Sequence, residues 1–276
     1  MHIAQGVMKA LNNKADWFAQ LNNKMGGDLT QIQTVGKYMV EVWKAVGMDL
    51  SKVEFLSSSE EINKRPEEYW TLVMDIVRKN SLKRIVRCSQ IMGRSEADDL
   101  TAAQIFYPCM QCADIFFLKA DICQLGMGQR KVNMLAREYC DSKRKPIVLS
   151  HKMMPGLLEG QEKMSKSDPN SAIFMEDSEA EVTTGNPCFE YARFIVLPWV
   201  GHFDVLRPAD HGGDKRYVSV VELAADYEEG ALHPGDLKAG LSRHLNAILQ
   251  PVRDHFENSE EAMELLKKVK SYKVTK

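Results

Sequence analysis

The sequence predicts an α/β fold with a parallel sheet, followed by a mainly helical domain. Short apolar or β-branched segments alternate with helix-like ones through the first half of the chain, the pattern of a parallel α/β sheet. A length of 276 residues is more than one ordinary core fills, so two domains are expected. Past the basic loop around Lys163 the strand-like segments stop and helical ones remain. The expected boundaries are 1–150 for the α/β domain, 151–172 for a linker containing that loop, and 173–276 for the helical domain.

Leu29 to Met48 reads as an amphipathic helix. Ile32, Val35, Met39, Val42, Trp43 and Val46 recur there at spacings of three and four, giving one apolar stripe that is most simply core. Lys83 to Val86 and Pro146 to Leu149 have the length and apolar or β-branched character of strands. Between them, Ala102 to Lys119 and Gln129 to Tyr139 are expected to be helical. Further on, Pro187 to Val200, Gly235 to Gln250 and Glu260 to Lys270 read as helices, with Pro208, Gly212-Gly213 and His233-Pro234-Gly235 as punctuation.

The composition is that of a soluble globular protein, with 44% hydrophobic and 27% charged residues. No apolar run approaches the ~20 residues that span a bilayer, so no membrane association is expected. Met1 to Gly6 lacks the basic and apolar regions of a secretory signal. Six scattered cysteines include one ligand-like pair, Cys109 and Cys112, without a second pair to complete a zinc site; reduced, mostly buried thiols in a cytoplasmic protein are expected. A net charge of -2 argues against coating nucleic acid by bulk electrostatics. Basic clusters at Arg78-Lys79 with Lys83-Arg84 and Arg87, at Lys143 to Lys145, and at Lys267 to Lys273 are more often solvated faces than phosphate tracks.

Two segments carry chemistry. The first is Tyr107-Pro108-Cys109-Met110-Gln111-Cys112-Ala113-Asp114. On a helix, Tyr107, Gln111 and Asp114 fall at i, i+4 and i+7 within one narrow stripe, while Cys109, Cys112 and Phe116 point the other way into packing. A phenol, an amide and a carboxylate inside an otherwise apolar helix need partners. Ile105, Ile115, Phe117 and Leu118 make a solvent-exposed face a poor alternative. A pocket for a small polar ligand fits better, with Asp114 accepting from a phenol and Tyr107 and Gln111 holding an ammonium. The second segment, Lys163-Met164-Ser165-Lys166-Ser167, lies between Gly156 and Gly160 on one side and Asp168-Pro169-Asn170 on the other. Two lysines among small hydroxyl residues suit a triphosphate, the cations neutralising the departing pyrophosphate. Alone, such a pentapeptide is equally an ordinary surface loop.

Together the segments resemble a known family. Lys-Met-Ser-Lys-Ser resembles the second signature of class I aminoacyl-tRNA synthetases, and Tyr-Pro-x-x-Gln-x-x-Asp resembles the amino-acid helix of tyrosyl-tRNA synthetases. Gly126 to Lys131 with Met134 to Glu138 is similar to that family's next helix, and His2-Ile3-Ala4-Gln5 looks like a variant of its first signature. The resemblance spans almost the whole chain and is nearest the archaeal and eukaryotic cytosolic branch.

The resemblance implies a Rossmann-like catalytic domain, an anticodon-binding helical domain and an ATP-dependent ligation of L-tyrosine to tRNA(Tyr). By it, His2, Lys163 and Lys166 stabilise the transition state. His2, Met153, Met154, Lys163, Met164, Ser165, Lys166 and Ser167 surround ATP, which Mg²⁺ accompanies without a tightly bound, protein-ligated metal. Tyr107, Gln111 and Gln129 bind the amino end of tyrosine and Asp114 its hydroxyl. Arg130 and Lys131 meet the tRNA acceptor end, and His211, His233 and Asp236 the anticodon. A solvated helix start for Arg130 and Lys131, and a simple turn and helix cap for His233 and Asp236, are the competing readings. A homodimer is expected.

The chain also departs from the family pattern. Ala4 and Gln5 replace the usual residues of the first signature, and Gly128 stands where relatives carry an acidic residue. The strand expected before His2 is missing. Asn13-Lys14 runs into Ala15-Asp16 where relatives have about a dozen more residues, and Val182-Thr183-Thr184-Gly185 reads as another shortened junction. The sequence therefore reads as joined segments of a longer chain. The nearest rival is tryptophanyl-tRNA synthetase, against which Asp114 argues. A non-catalytic RNA-binding or signalling relative is a second, against which Lys163 and Lys166 argue.

Overall fold

A computed structural model of the chain describes residues 10–89, 100–140, 145–154, 156, 175 and 188–272. It divides into two compact units, the first from Met1–Lys37 and Asp49–Met153, the second from Tyr38–Met48 and Met154–Val274.

Among the described residues the first unit contains two parallel strand pairs. Strand β1 (Ala10–Lys14) pairs with β2 (Val53–Ser57), Ala10 opposite Val53 and Lys14 opposite Ser57. Between them lie α1 (Asp16–Leu21) and α2 (Leu29–Ala45), the crossover that parallel strands require. Then come α3 (Ser58–Lys64), α4 (Pro66–Lys79), α5 (Leu82–Ser89) and α6 (Ala102–Phe117). Strand β3 (Ile122–Gly126), helix α7 (Arg130–Tyr139) and β4 (Ile147–His151) make the second βαβ unit, in register from Ile122 opposite Ile147 to Gly126 opposite His151. The core gathers Phe18, Ile62, Tyr69, Val73, Ile76, Ile85, Cys88, Cys109, Cys112, Ala113, Val132 and Leu135.

Two features fix α6. Thr101 and Gln104 form a reciprocal capping box, the Gln104 amide oxygen accepting from the Thr101 N–H at 2.9 Å. Its apolar side, Cys109, Cys112, Ala113 and Ile115, is buried, whereas Phe116 is only half-buried.

The segment Lys83 to Val86, read above as a strand, is helical. It lies within α5, where Ile85, Cys88 and Ser89 are buried at helical spacing and Lys83 and Arg87 stay outside. Four residues ending in Ile-Val look the same in a strand or a buried helix turn, and packing against α6 and α7 decides. In α2 the buried residues are Ile32, Thr34, Tyr38 and Val42; Val35, Met39, Trp43 and Val46 are half-buried, so the core stripe is rotated toward Tyr38.

The second unit is mainly helical. Helix α8 (Cys188–Tyr191) passes through a π-helical turn (Ala192–Val196) into α9 (Leu197–Val200). Strands β5 (Phe203–Val205) and β6 (Lys215–Tyr217) form a short antiparallel pair, which the sequence did not announce. Helices α10 (Val220–Glu228), α11 (Pro234–Asn258) and α12 (Glu260–Lys270) follow, capped by Ser219, His233 and Ser259. Leu237, Leu241, Leu245 and Leu249 of α11 line a core completed by Tyr191, Val196, Phe203, Val205, Tyr217 and Leu223.

Helix α11 does not stop at Gln250 but continues through Pro251 to Asn258. A proline there costs ~3 kcal/mol. Buried Val252 and Phe256 pack against Tyr38 and Val42, in the part of α2 that belongs to this same unit, and against Ala262 and Leu266 of α12, and this burial offsets the cost. Gly240 marks the closest approach in this unit: an added Cβ would lie 2.9 Å from Phe203 Cε1 and 3.1 Å from the Asp204 carbonyl oxygen. Gly240→Ala is therefore expected to destabilise the unit by about 1–3 kcal/mol through overpacking, read as a lowered urea midpoint at unchanged slope.

Candidate active site

The predicted stripe of α6 exists. Tyr107, Gln111 and Asp114 are all half-buried on this helix, neither solvated nor sealed in the core. Burial, and then the nearby charge of Asp114, push the Tyr107 phenol above its ordinary pKa, while the Asn22 amide opposes this. Phe18 meets the Tyr107 ring edge-on at 5.1 Å. The Gln111 side-chain oxygen is buried and has no hydrogen-bond partner among the described residues.

Asp114 brings in a residue that the sequence did not single out. The hydroxyl of Tyr69, on α4, donates to Asp114 Oδ1 at 2.9 Å and to the Met110 carbonyl at 3.3 Å. Tyr69 is fully buried and held edge-on by Phe117 at 5.0 Å and by Trp70 at 5.5 Å. Burial and the adjacent carboxylate raise its pKa far above the ordinary phenol range, so Tyr69 stays protonated and donates.

Gln129 stands at the carboxyl end of β3, where a short 3₁₀ turn (Met127–Gln129) leads into α7 with Gln129 as its N-cap. In open α/β sheets ligands bind beyond the carboxyl ends of the strands. The Gln129 side-chain oxygen, like that of Gln111, is buried and unpaired among the described residues. One turn further along α7, Asn133 is buried with both polar side-chain atoms unpaired among the described residues. Neither Asn133 nor Asn22 was foreseen; an asparagine inside the apolar stretch Val132 to Ala136 was the available signal for the first. Met153 packs beside the same strand end, so that a Cβ on Gly126 would lie 2.7 Å from its sulfur. Met154 belongs to the second unit, packed on the core of that unit.

Arg130 and Lys131 are exposed at the start of α7. In the second unit His233 caps α11, its Nδ1 accepting from the Gly235 N–H at 3.0 Å, with Asp236 in the first turn. That hydrogen bond occupies Nδ1 and leaves the Nε2 edge of the exposed ring facing outward. His211 is exposed at the end of a 3₁₀ turn (Ala209–His211). The Arg78 and Lys79 cations are engaged by Asp75, and Arg84 by Glu138, so these members of the first basic cluster are held in local ion pairs. Among the described residues no group of three or more His, Cys, Asp or Glu could hold a metal ion. None of the described helices is long and apolar enough to cross a membrane. Cys109 and Cys112 are buried free thiols, the first pushed up to about 11 by burial, so they serve packing. His2 and Lys163 to Ser167 lie outside the described residues.

Residues 14–250 match the family model of class I tRNA synthetases for tryptophan and tyrosine. A curated relative, "Tyrosine--tRNA ligase 1, cytoplasmic" of Arabidopsis thaliana, is 63% identical over 305 residues, covering 100% of this chain and 79% of that protein. That span exceeds the 276 residues of the chain, so the relative carries segments without a counterpart here. Among solved structures, Leishmania major tyrosyl-tRNA synthetase in complex with tyrosinol aligns with a TM-score of 0.88 at 46% identity, over 96% of this chain and 44% of its own. Pyrococcus horikoshii tyrosyl-tRNA synthetase complexed with L-tyrosine aligns with a TM-score of 0.83 at 34% identity, over 94% and 82%.

The chain belongs to the class I tRNA synthetases, with their Rossmann-like α/β catalytic fold and helical region. ATP is a substrate of that class, alongside an amino acid and a tRNA. Within the class its place is with the tyrosine–tRNA ligases.

Proposed function

We propose that this chain activates L-tyrosine with ATP, releasing pyrophosphate, and passes the tyrosyl group to tRNA(Tyr). The observation that carries the reading is the pair of buried, unpaired amide oxygens on Gln111 and Gln129. A buried acceptor without a donor costs ~1–3 kcal/mol, and the ammonium of an amino acid supplies donors to both. Tyr107 assists at that end, and Asp114 accepts the hydroxyl of the substrate. The tyrosine carboxylate then attacks the α-phosphate, forming the mixed anhydride as pyrophosphate leaves. No side-chain nucleophile is needed; positioning and charge neutralisation supply the catalysis.

His2, Lys163 and Lys166 carry the neutralisation, and Met153, Met154, Met164, Ser165 and Ser167 surround the nucleotide. Mg²⁺ arrives with ATP as its counter-ion. Arg130 and Lys131 meet the acceptor end of the tRNA, while His211, His233 and Asp236 read the anticodon by stacking and hydrogen bonding. The exposed Nε2 edge of His233, which its cap hydrogen bond leaves open, favours this role. Residues 1–150 form the catalytic domain, 151–172 the linker and 173–276 the anticodon-binding domain. The change of compact unit between Met153 and Met154 supports a boundary there. The protein acts as a homodimer in the cytoplasm, as the name of the Arabidopsis relative favours for the compartment.

Tyrosine-dependent ATP–pyrophosphate exchange tests the reaction. Lys166→Ala is expected to lower kcat by about 10²–10³, the usual loss on removing one transition-state charge partner. Exchange that survives the substitution undiminished removes the lysine loop from the chemistry.

A further inference from the structure

We infer that Tyr69 is a positioning residue for amino-acid selection, holding the carboxylate of Asp114 in the orientation that receives the substrate hydroxyl. The inference rests on the proposed reading of Asp114. Tyr69 comes from α4, 45 residues earlier in the chain, and reaches Asp114 Oδ1 at 2.9 Å. Its own position leaves little freedom: the side chain is fully buried between Phe117 and Trp70, and Arg65 lies 3.9 Å over the Phe117 ring. The same hydroxyl reaches the Met110 carbonyl one turn before Asp114, so the phenol is tied to the α6 backbone as well as to the carboxylate.

The chemistry favours this arrangement over a purely structural bond. An ionised carboxylate offers about four lone-pair sites and accepts only. One fixed phenol donor satisfies part of that capacity and sets the torsion of the group. Tyrosine brings a second hydroxyl donor to the same carboxylate, and phenylalanine brings none. A carboxylate free to rotate could instead turn toward water when phenylalanine binds, and the penalty of leaving it unpaired would shrink. Rigid placement of the acceptor converts a missing hydroxyl into a large cost.

The test is equilibrium binding of tyrosine and phenylalanine to the full chain, to Tyr69→Phe, to Asp114→Ala and to the double variant. Tyr69→Phe is expected to weaken tyrosine binding by about 10- to 100-fold, the worth of one hydrogen bond to a charged group. Phenylalanine binding stays near its starting value. In tyrosine-dependent exchange the change falls on KM while kcat holds, because no group touching the reacting atoms has been altered. Once Asp114 is alanine, Tyr69→Phe has no further effect on the ratio. A Tyr69→Phe protein that keeps the parental tyrosine-to-phenylalanine ratio overturns the inference. So does one that loses both ligands alike, or one that loses the ratio again in the Asp114→Ala background. If Asp114→Ala itself leaves the ratio unchanged, the reading of Asp114 fails, and Tyr69 falls with it.

Discussion

Asp114→Ala is expected to cut the preference for tyrosine over phenylalanine by about 10³-fold. Tyrosyl-tRNA synthetases are themselves the reference case of a site that rejects an analogue lacking a hydroxyl, at about 10⁵, because a buried polar group is then left unpaired. An apolar pocket facing the same choice reaches only about 10². The gap between those limits is what the carboxylate supplies. Asp114 is half-buried, so its charge is partly removed from water, and the Tyr69 hydroxyl fixes one of its oxygens. Alanine removes the acceptor and with it the penalty for phenylalanine. The fold tolerates the change, since the Tyr69 hydroxyl keeps the Met110 carbonyl 3.3 Å away. The ratio of kcat/KM values for exchange with the two amino acids measures the effect. An unaltered ratio moves discrimination to another residue.

Asp16→Ala is expected to produce the largest loss of stability in the first unit, about 2–4 kcal/mol, by orphaning several donors at once. Asp16 is 5% exposed and begins α1 immediately after β1. Its Oδ1 accepts from the Ser58 hydroxyl at 2.6 Å and the Ser59 N–H at 3.0 Å. Its Oδ2 accepts from the Ser57 hydroxyl at 2.9 Å, the Ser59 hydroxyl at 2.5 Å and the Gln33 amide at 3.2 Å. The carboxylate thus ties α1 to the end of β2, the start of α3 and the second turn of α2. Burial raises its pKa, but the hydrogen bonds from Ser58, Ser59 and Gln33 outweigh burial and hold it at about 2, against 3.8 for an ordinary aspartate.

A folded-state value below the unfolded one gives stability that is complete above pH 3.8 and lost as pH falls toward about 2. The shift corresponds to about 2 kcal/mol. Urea unfolding at neutral pH and at acid pH, on the parent and on Asp16→Ala, separates this carboxylate from the rest. The parent should lose the extra increment on acidification and the variant should not. Equal acid sensitivity in both proteins would mean that the serine cluster does not hold the charge.

The helix of the candidate site was legible because its information is local. Tyr107, Gln111 and Asp114 align through helical periodicity alone, and the T-x-x-Q cap at Thr101 to Gln104 lies in the same stretch. The partners of that helix were not legible for the complementary reason. Tyr69 meets Asp114 across 45 residues and Asp16 meets Ser57 to Ser59 across 41 to 43, distances at which no local pattern operates. Strand β1 was hidden too. Ala10-Leu11-Asn12-Asn13-Lys14 has no β-branched residue, and its strand character comes from parallel pairing with β2. Lys14 passes through Ala15 directly into α1. Lys83 to Val86 erred in the opposite sense, its Ile-Val pair resembling a strand while the burial of Ile85 and Cys88 follows a helix.

The α6 stripe is proposed to select tyrosine for adenylate formation. ATP–pyrophosphate exchange on the intact protein, with tyrosine, tryptophan or no amino acid supplied, tests it most directly. Exchange is expected with tyrosine and none above background with tryptophan. Exchange driven by tryptophan, or none with tyrosine, would contradict it.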